Sequence, residues 1–446
     1  MSKTSNYYNA FLGETVHVKT LDSGLSVYII PKRGFTKKYA FFATHYGGVS
    51  NHFRLSNGDV VNMPMGIAHF LEHQIFEDQE ESTFVKFEKI GANVNAYTSN
   101  TSTVYYFDIV REFDKGLGYL MELVQNTSIT AETVEKEKGI IIQEINMYKD
   151  ELDWSLTMNL YRAMYHNHPI IHDIAGTAES VSGTSAEEIL ACYHHFYTPN
   201  NMCVFIYGDV NPEETFRLVD QLQTPAFKEK SEVPVVMIPE EPYPIKEKRI
   251  EIEGDIPKDR FFVGFKADPS LFGTDASKYA AALRVANDII FGRSSKLYEK
   301  AIQKGLITDG FEIDSQFGNG YAFAVVGGES KDIDALYALI VEELKEMLAK
   351  GIDEDDFKRM KRKLVGRMLI SFNALQALAS NYTYHIMKGT DLFDYVNWLQ
   401  ELTYDDVMTA LKVFYDVENH SISVIRKASN LSTEEATDGK GYKEEV

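Results

Sequence analysis

The segment GIAHFLEHQIFED (residues 66 to 78) places His69, Glu72 and His73 within five residues. On a helix, residues i and i+4 lie about 40° apart around the axis and about one turn apart along it, so both imidazoles leave one face. Such a pair can chelate a single ion. Neutral imidazole suits Zn2+, and a catalytic zinc needs a third protein ligand and an open position for water. Glu72 leaves nearly the same face, within reach of that water. Either histidine alone is more simply a solvated group on an amphipathic helix, but the pattern weighs against that reading. With 12 histidines in 446 residues, and glutamates bounded by the 66 acidic residues, chance supplies fewer than about 0.05 H-x-x-E-H patterns per chain.

A carboxylate is the expected third ligand, and a helical pattern downstream offers Glu132, Glu135, Glu137, Glu144 and Glu151. Glu137 and Glu144 are two turns apart and share a face. Glu144 sits in the apolar run IIIQEI, where an ionised group needs a partner that a divalent cation would supply. Two other histidine groups fit the chemistry less well. His166, His168 and His172 surround Pro169, which interrupts any helix, and they read as a structural loop. His194 and His195 are adjacent, so on a helix they point about 100° apart and do not chelate together.

The elements that must carry these residues follow from periodicity. Residues 25 to 30 and 39 to 45 read as strands, and 93 to 98 with 103 to 110 as a hairpin. Helical patterns occupy 66 to 77, 114 to 126 and 131 to 151. The order recurs: strands at 249 to 252 and 260 to 266, a helix through 279 to 290, strands around Phe311 and Tyr321, then two helices. Ile333, Leu336, Ile340, Leu344 and Leu348 form the stripe of a helix lying on a sheet. The fold expected is α+β, two homologous domains, each an antiparallel-rich sheet packed with helices. Between them, residues 223 to 247 hold five of the twelve prolines, a composition favouring extended, unpaired chain. The expected divisions are a zinc-binding domain over 1 to 225, a linker over 226 to 247, a second copy over 248 to 427 and a mobile tail over 428 to 446. Laid in register, Glu137 meets Met360, Glu144 meets Arg367, His69 meets Arg284 and His73 meets Asp288, so only the first copy keeps the metal-type residues.

Composition removes several classes of function. Hydrophobic residues make up 44% and charged residues 25%, so a folded core is expected and low-complexity classes are excluded. The net charge of −21 has the wrong sign for a nucleic-acid backbone or an anionic membrane surface. No long apolar run suggests a membrane span or a secretory leader. Cys192 and Cys203, the only cysteines, cannot form a disulfide framework. A soluble cytoplasmic protein is expected.

Beyond the H-x-x-E-H segment, the chain carries NAYTSNTSTVYYFDI (95 to 109), EKGIIIQEI (137 to 145) and FYTPNNMCVFIYGDV (196 to 210). With these it resembles, over nearly its whole length, the pitrilysin and insulysin metallopeptidases, specifically the half-size members related to mitochondrial processing peptidase. The resemblance implies that His69, His73 and Glu144 bind zinc, that Glu72 is the general base and that Glu137 supports the site from behind. It implies a peptide substrate lying along the strand at Asn95 and Ala96. Many relatives also carry an arginine and, seven residues later, a tyrosine around a Gly-Leu pair. Gly305-Leu306 marks that place here, and the two positions are Ala301 and Thr308. Among half-size relatives this pattern resembles the catalytic member of a heterodimer whose partner is zinc-free and bears the arginine and tyrosine. The alternative is a non-catalytic assembly or peptide-binding subunit on the same fold, although such a subunit has no need of Glu72.

Overall fold

The computed structural model describes residues 3–77, 82–125, 128–229, 232–271 and 276–428. The first half carries β1 (Lys3–Asn9), β2 (Glu14–Thr20), β3 (Ser26–Pro31), β4 (Lys38–Thr44), β5 (His52–Arg54), β6 (Val60–Asn62), β7 (Asn93–Thr98), β8 (Thr103–Ile109) and β9 (Met202–Gly208). After β10 (Val235–Val236), the second half carries β11 (Arg249–Gly254), β12 (Arg260–Lys266), β13 (Glu312–Gly318), β14 (Tyr321–Glu329) and β15 (His420–Lys427).

One sheet has the order β1-β2-β3-β9-β4-β8-β7 and another the order β11-β15-β12-β14-β13. In the first, β3 and β9 are parallel and all other neighbours antiparallel. In the second, β11 and β15 are parallel and the rest antiparallel. The five strands from β3 to β7 are thus repeated in order and polarity by β11 to β13, giving the duplicated α+β architecture. The β1–β2 hairpin is an addition to the first copy that no sequence pattern had indicated. In each sheet the hairpin's first strand, β7 or β13, is an open edge.

β4 and β9 are buried along almost their whole length, and their sequences, KYAFFAT and MCVFIYG, are apolar runs rather than alternations. Such runs belong to strands covered on both faces. One face of the first sheet packs on the helices of its own half, with Phe42, Tyr105, Phe107, Leu117 and Ile141 in the core. The other face meets the second half: Phe41, Val104 and Phe205 pack against Leu378, Tyr382 and Phe393, from the helices Leu375–Met387 and Leu392–Glu401. The exchange is mutual. The helix Leu152–Met164 of the first half lays Leu156, Leu160 and Met164 against Ile425, Phe323 and Val325 of the second sheet. Each half therefore lends helical cover to the other's sheet.

The proline-rich connection is neither wholly extended nor unpaired as expected: Pro225–Lys228 form a short helix capped by Thr224, which buries Phe227 in the first core, and the chain beyond pairs. β10 forms a small sheet with β5 and β6, and Met237 N–H donates to His52 O at 2.8 Å. Pro234 precedes the paired residues, so the prolines leave the donors of Val235 to Met237 available. Farther on, Glu241 accepts from the backbone N–H groups of His166, Asn167 and His168 at 2.9, 2.8 and 2.9 Å. It also accepts from Lys266 Nζ at 2.6 Å, and that ammonium further donates to Pro242 O and Met164 O. Lys266 is 2% exposed. This one pair ties the connection, the end of the Leu152–Met164 helix and β12 together. The expected tail falls, past residue 428, outside the described residues. No helix among the described residues is long and apolar enough to cross a membrane.

Removing one partner of a buried ion pair leaves an uncompensated charge, a loss of about 3–5 kcal/mol. Glu241→Ala is expected to lower the stability measured by urea unfolding by that order. Burial acts to raise the Glu241 pKa, but the Lys266 hydrogen bond and the backbone donors outweigh it and hold the carboxyl below its usual range. A depressed folded pKa means that this stabilisation is complete above the unfolded value of about 4.3 and fades as pH falls through the folded one. The gap between wild type and Glu241→Ala should therefore be constant near neutrality and shrink under acid.

Candidate metal centre

Residues Ile67–Phe76 form the helix that carries the two histidines. Gly66 precedes it with φ 87°, a left-handed conformation, and a Cβ there would lie 2.3 Å from Ala175 O. Gly176 has φ 82° and would meet Met65 O at 2.5 Å. The two backbones thus pass in contact, and Ser180 Oγ seals them by donating to Met65 O at 2.8 Å. The chain entry to the helix is fixed by two glycines and not by a side-chain cap.

Ala131–Asp150 form the second helix of the site, started by the Thr130–Thr133 capping box. Gln74, wholly buried, binds its first turn: Nε2 donates to Thr133 O at 3.2 Å and Oε1 accepts from Thr133 Oγ1 at 2.8 Å. One amide thereby fixes where the two helices cross. At the crossing, Glu144 Oε2 lies 3.4 Å from His73 Nε2 and 3.7 Å from His69 Nε2. The three donor atoms fall within 4.8 Å of one another. Ligand atoms about 2.1 Å from a tetrahedral ion stand about 3.4 Å apart, so the set fits zinc. His73 Nδ1 is bonded to Glu137 Oε1 at 2.8 Å. That contact orients the ring and leaves Nε2 as the donor atom, a common arrangement behind ligating histidines.

The electrostatics favour a cation at this point. Burial, and next the neighbouring His73, push His69 down, towards the neutral form that ligates. Burial acts to lower His73 too, but hydrogen bonds to Glu137 and Glu144 outweigh it and raise its pKa. The bond to His73 holds Glu144 below the usual carboxylate range. The shifts favour positive charge between the two carboxylates, where a divalent ion would have equivalent partners.

Glu72 is 9% exposed, and its Oε2 accepts from Thr98 Oγ1 at 2.5 Å. Burial raises its pKa, with the Thr98 bond opposing. Behind it Tyr105 and Tyr197 join hydroxyls at 2.8 Å, and Tyr197 comes from the FYTPNNM segment. In that segment Asn201 Nδ2 donates to Phe196 O at 2.8 Å, fixing the turn into β9.

The sequence-derived residues sort clearly. His69, Glu72, His73, Glu137 and Glu144 come together. Of the two glutamates, Glu137 is the more buried, with 7% of its side chain exposed against 25% for Glu144, the reverse of what the IIIQEI run suggested. Asn95 and Ala96 lie on the edge strand β7, where Asn95 Oδ1 accepts from Ala96 N–H at 2.8 Å. His168 is a structural residue, its Nε2 bonded to Asn319 O at 2.8 Å and its Nδ1 accepting from Ile170 N–H. Ala301 is wholly buried in the second core, and Thr308 is exposed beside Lys258. Sequence reasoning overlooked Gln74 and Thr98, although both sit inside segments it singled out.

Residues 62–178 match the family model described as Insulinase (Peptidase family M16), and residues 184–364 match the one described as Peptidase M16 inactive domain. The chain belongs to peptidase family M16. It is 35% identical over 407 residues to a Bacillus subtilis protein named uncharacterized zinc protease YmfH, covering 90% of this chain and 94% of that one. With the mitochondrial-processing peptidase subunit beta of Caenorhabditis elegans it shares 26% identity over 327 residues, 68% of each chain. The M16-like structure from Alicyclobacillus acidocaldarius superposes with a TM-score of 0.87 at 34% identity, over 96% of this chain and 99% of that one. Pitrilysin shares the fold at a TM-score of 0.72 and 16% identity, over 95% of this chain and 46% of its own.

Gly66→Ala forces a side chain into a left-handed backbone and onto a carbonyl. The cost expected is more than about 1 kcal/mol. Urea unfolding checks this, and Gly91→Ala, also left-handed but with nothing within 4 Å of its Cβ, should cost less.

Proposed function

We propose that the chain is a zinc-dependent endopeptidase that hydrolyses unstructured peptides, and that it is the catalytic member of a heterodimer. The observation that carries the first part is the convergence of His69, His73 and Glu144 beside the buried Glu72. His69 Nε2, His73 Nε2 and a Glu144 oxygen hold the ion, and Glu137 keeps His73 turned towards it. Zinc, when bound, polarises the scissile carbonyl and lowers the pKa of a water towards neutrality. Thr98 occupies Oε2 of Glu72, so Oε1 is the atom that takes the water's proton. Burial raises the affinity of Glu72 for that proton, and the same group delivers it to the leaving amine. Substrate adds as a further strand to the open edge of β7, alongside Asn95 and Ala96.

Metal analysis should find one zinc per chain, with content lost in folded His69→Ala and Glu144→Ala variants. Glu72→Gln should retain zinc and lose about 10² to 10⁴ in rate, the usual contribution of a general base. A peptide-binding subunit would instead bind peptide equally well as wild type and as Glu72→Gln, and would cleave it in neither form. Retention of wild-type zinc content in both ligand variants would overturn the ligand set.

The heterodimer rests on the second copy. Ala301 is sealed in its core and Thr308 carries no charge, so this chain has no arginine and tyrosine at those places to grip a substrate opposite the metal. A zinc-free homologue bearing them would complete the chamber. The isolated chain should hydrolyse peptide weakly, with a large gain on adding that partner. Sedimentation with single-turnover assays checks this, and full activity of the chain alone, unchanged by the partner, would refute it.

A further inference from the structure

Away from the metal centre, a cavity of about 390 Å³ lies between the two halves. Thr101, in the turn after the edge strand β7, lines one side, and Phe317 and Gly318, at the end of the other edge strand β13, line another. The cavity is also lined by Tyr384, Met387 and Lys388, at the end of the helix that the second half lends to the first sheet. Its size falls within the range of about 300–1,000 Å³ typical of small-ligand sites.

Lys388 is the feature that needs an explanation. Its Nζ donates to Phe317 O at 2.6 Å and lies 5.9 and 5.6 Å from the ring centres of Tyr321 and Tyr384. An ammonium has three donors, and ring faces supply only part of what water would. Among the described residues no carboxylate pairs with it. Burial pushes it down to about 8, and among the described residues no charge opposes this. Among the described residues the lining beside it is uncharged: Phe317, Tyr321, Tyr384 and Met387, with His385 engaged with Thr390 Oγ1 at 3.0 Å. A part-buried cation facing an apolar cavity is stabilised by an anion placed within it.

We propose that this cavity is a second binding site, taking a carboxylate carried on an apolar or aromatic group, with the carboxylate on Lys388 and the apolar part against Phe317 and Tyr384. Two sources share this chemistry, the C-terminal residue of a peptide and a free aromatic acid. Neither requires zinc or the Glu72 carboxylate.

The test uses the full chain carrying Glu72→Gln, so that no peptide is cleaved, and titration calorimetry at pH 7. N-acetylphenylalanine is expected to bind, and its amide about ten-fold or more weaker, the size of a lost charge-assisted hydrogen bond. Lys388→Met should abolish binding of the acid and Lys388→Arg should retain it. Should Lys388→Met fail to fold, Ala280→Phe, which fills the cavity and keeps the lysine, is expected to block binding equally. Tripeptides ending in phenylalanine, with a free or amidated terminus, separate the sources. Tighter binding of the free-terminus peptide than of N-acetylphenylalanine identifies a peptide end, and the reverse a free acid. Equal affinity for acid and amide, binding that survives Lys388→Met or Ala280→Phe, or no binding of either acid would overturn the proposal. Hydrolysis is not read in any arm, so failure here leaves the peptidase reading standing.

Discussion

Two helices distant in the chain must cross so that a histidine pair on one meets a glutamate pair on the other, and the buried amide of Gln74 sets that crossing. Both of its polar ends are bonded to Thr133, the residue that completes the capping box with Thr130 at the start of the second helix. A buried amide left unpaired is costly, so the register of the two helices is strongly specified. From that single contact the rest follows by helical geometry. His73, one residue before Gln74, reaches Glu137, four residues after Thr133, and two turns farther on Glu144 reaches both imidazoles.

The second copy shows what the same crossing does without metal-type residues. The helix Ala276–Phe291 and the helix Glu354–Ser371 occupy the corresponding places. Asp288, in register with His73, lies 3.9 Å from Arg367, in register with Glu144, and 3.2 Å from Lys363. The polarity is inverted: the carboxylate is on the first helix and the cations on the second. Met360, in register with Glu137, is buried in the core. Opposite charges of fixed sign satisfy each other directly and leave no place for a cation. The same crossing therefore forms with either set of side chains, histidines and glutamates in the first copy and an ion pair in the second.

Much of this was legible in the sequence because periodicity reports it directly. The spacing of His69 and His73 fixes their common face, and the β-branched and aromatic run of β4 announces a strand, whereas β9 stands out only as part of the segment FYTPNNMCVFIYGDV. The choice of Glu144 came from a family resemblance, and spacing alone left it beside Glu137 as a residue on the same face. Other features leave no local trace. β1 is KTSNYYN, with Tyr7 and Tyr8 more than half exposed, so no hydrophobic pattern marks it. The exchange of helices was invisible because an amphipathic stripe states that a face is buried, not against which sheet. Gln74 and Thr98 read as polar positions within a motif, and only contacts between distant segments give them roles. The prolines of residues 223 to 247 suggested extension throughout, but Pro225 instead starts a short helix over Pro225–Lys228, as proline does at a first helical position, and whether the later extended part is paired depends on β5, far away in the chain.

The exchange of cover has a mechanical consequence. If each sheet packed only on its own helices, the proline-rich connection would be the sole tie and the two halves could swing. Instead the helix Leu375–Met387 is sandwiched against the first sheet while its end reaches β13 through Lys388 and Phe317 O. The helix Leu152–Met164 is held on the second sheet while its end is locked to the connection through Glu241 and Lys266. Opening one half from the other would expose both shared faces at once, each burying aromatic side chains worth about 1.5–3 kcal/mol apiece. The open edges β7 and β13 are thereby held at a fixed separation by the same two helices.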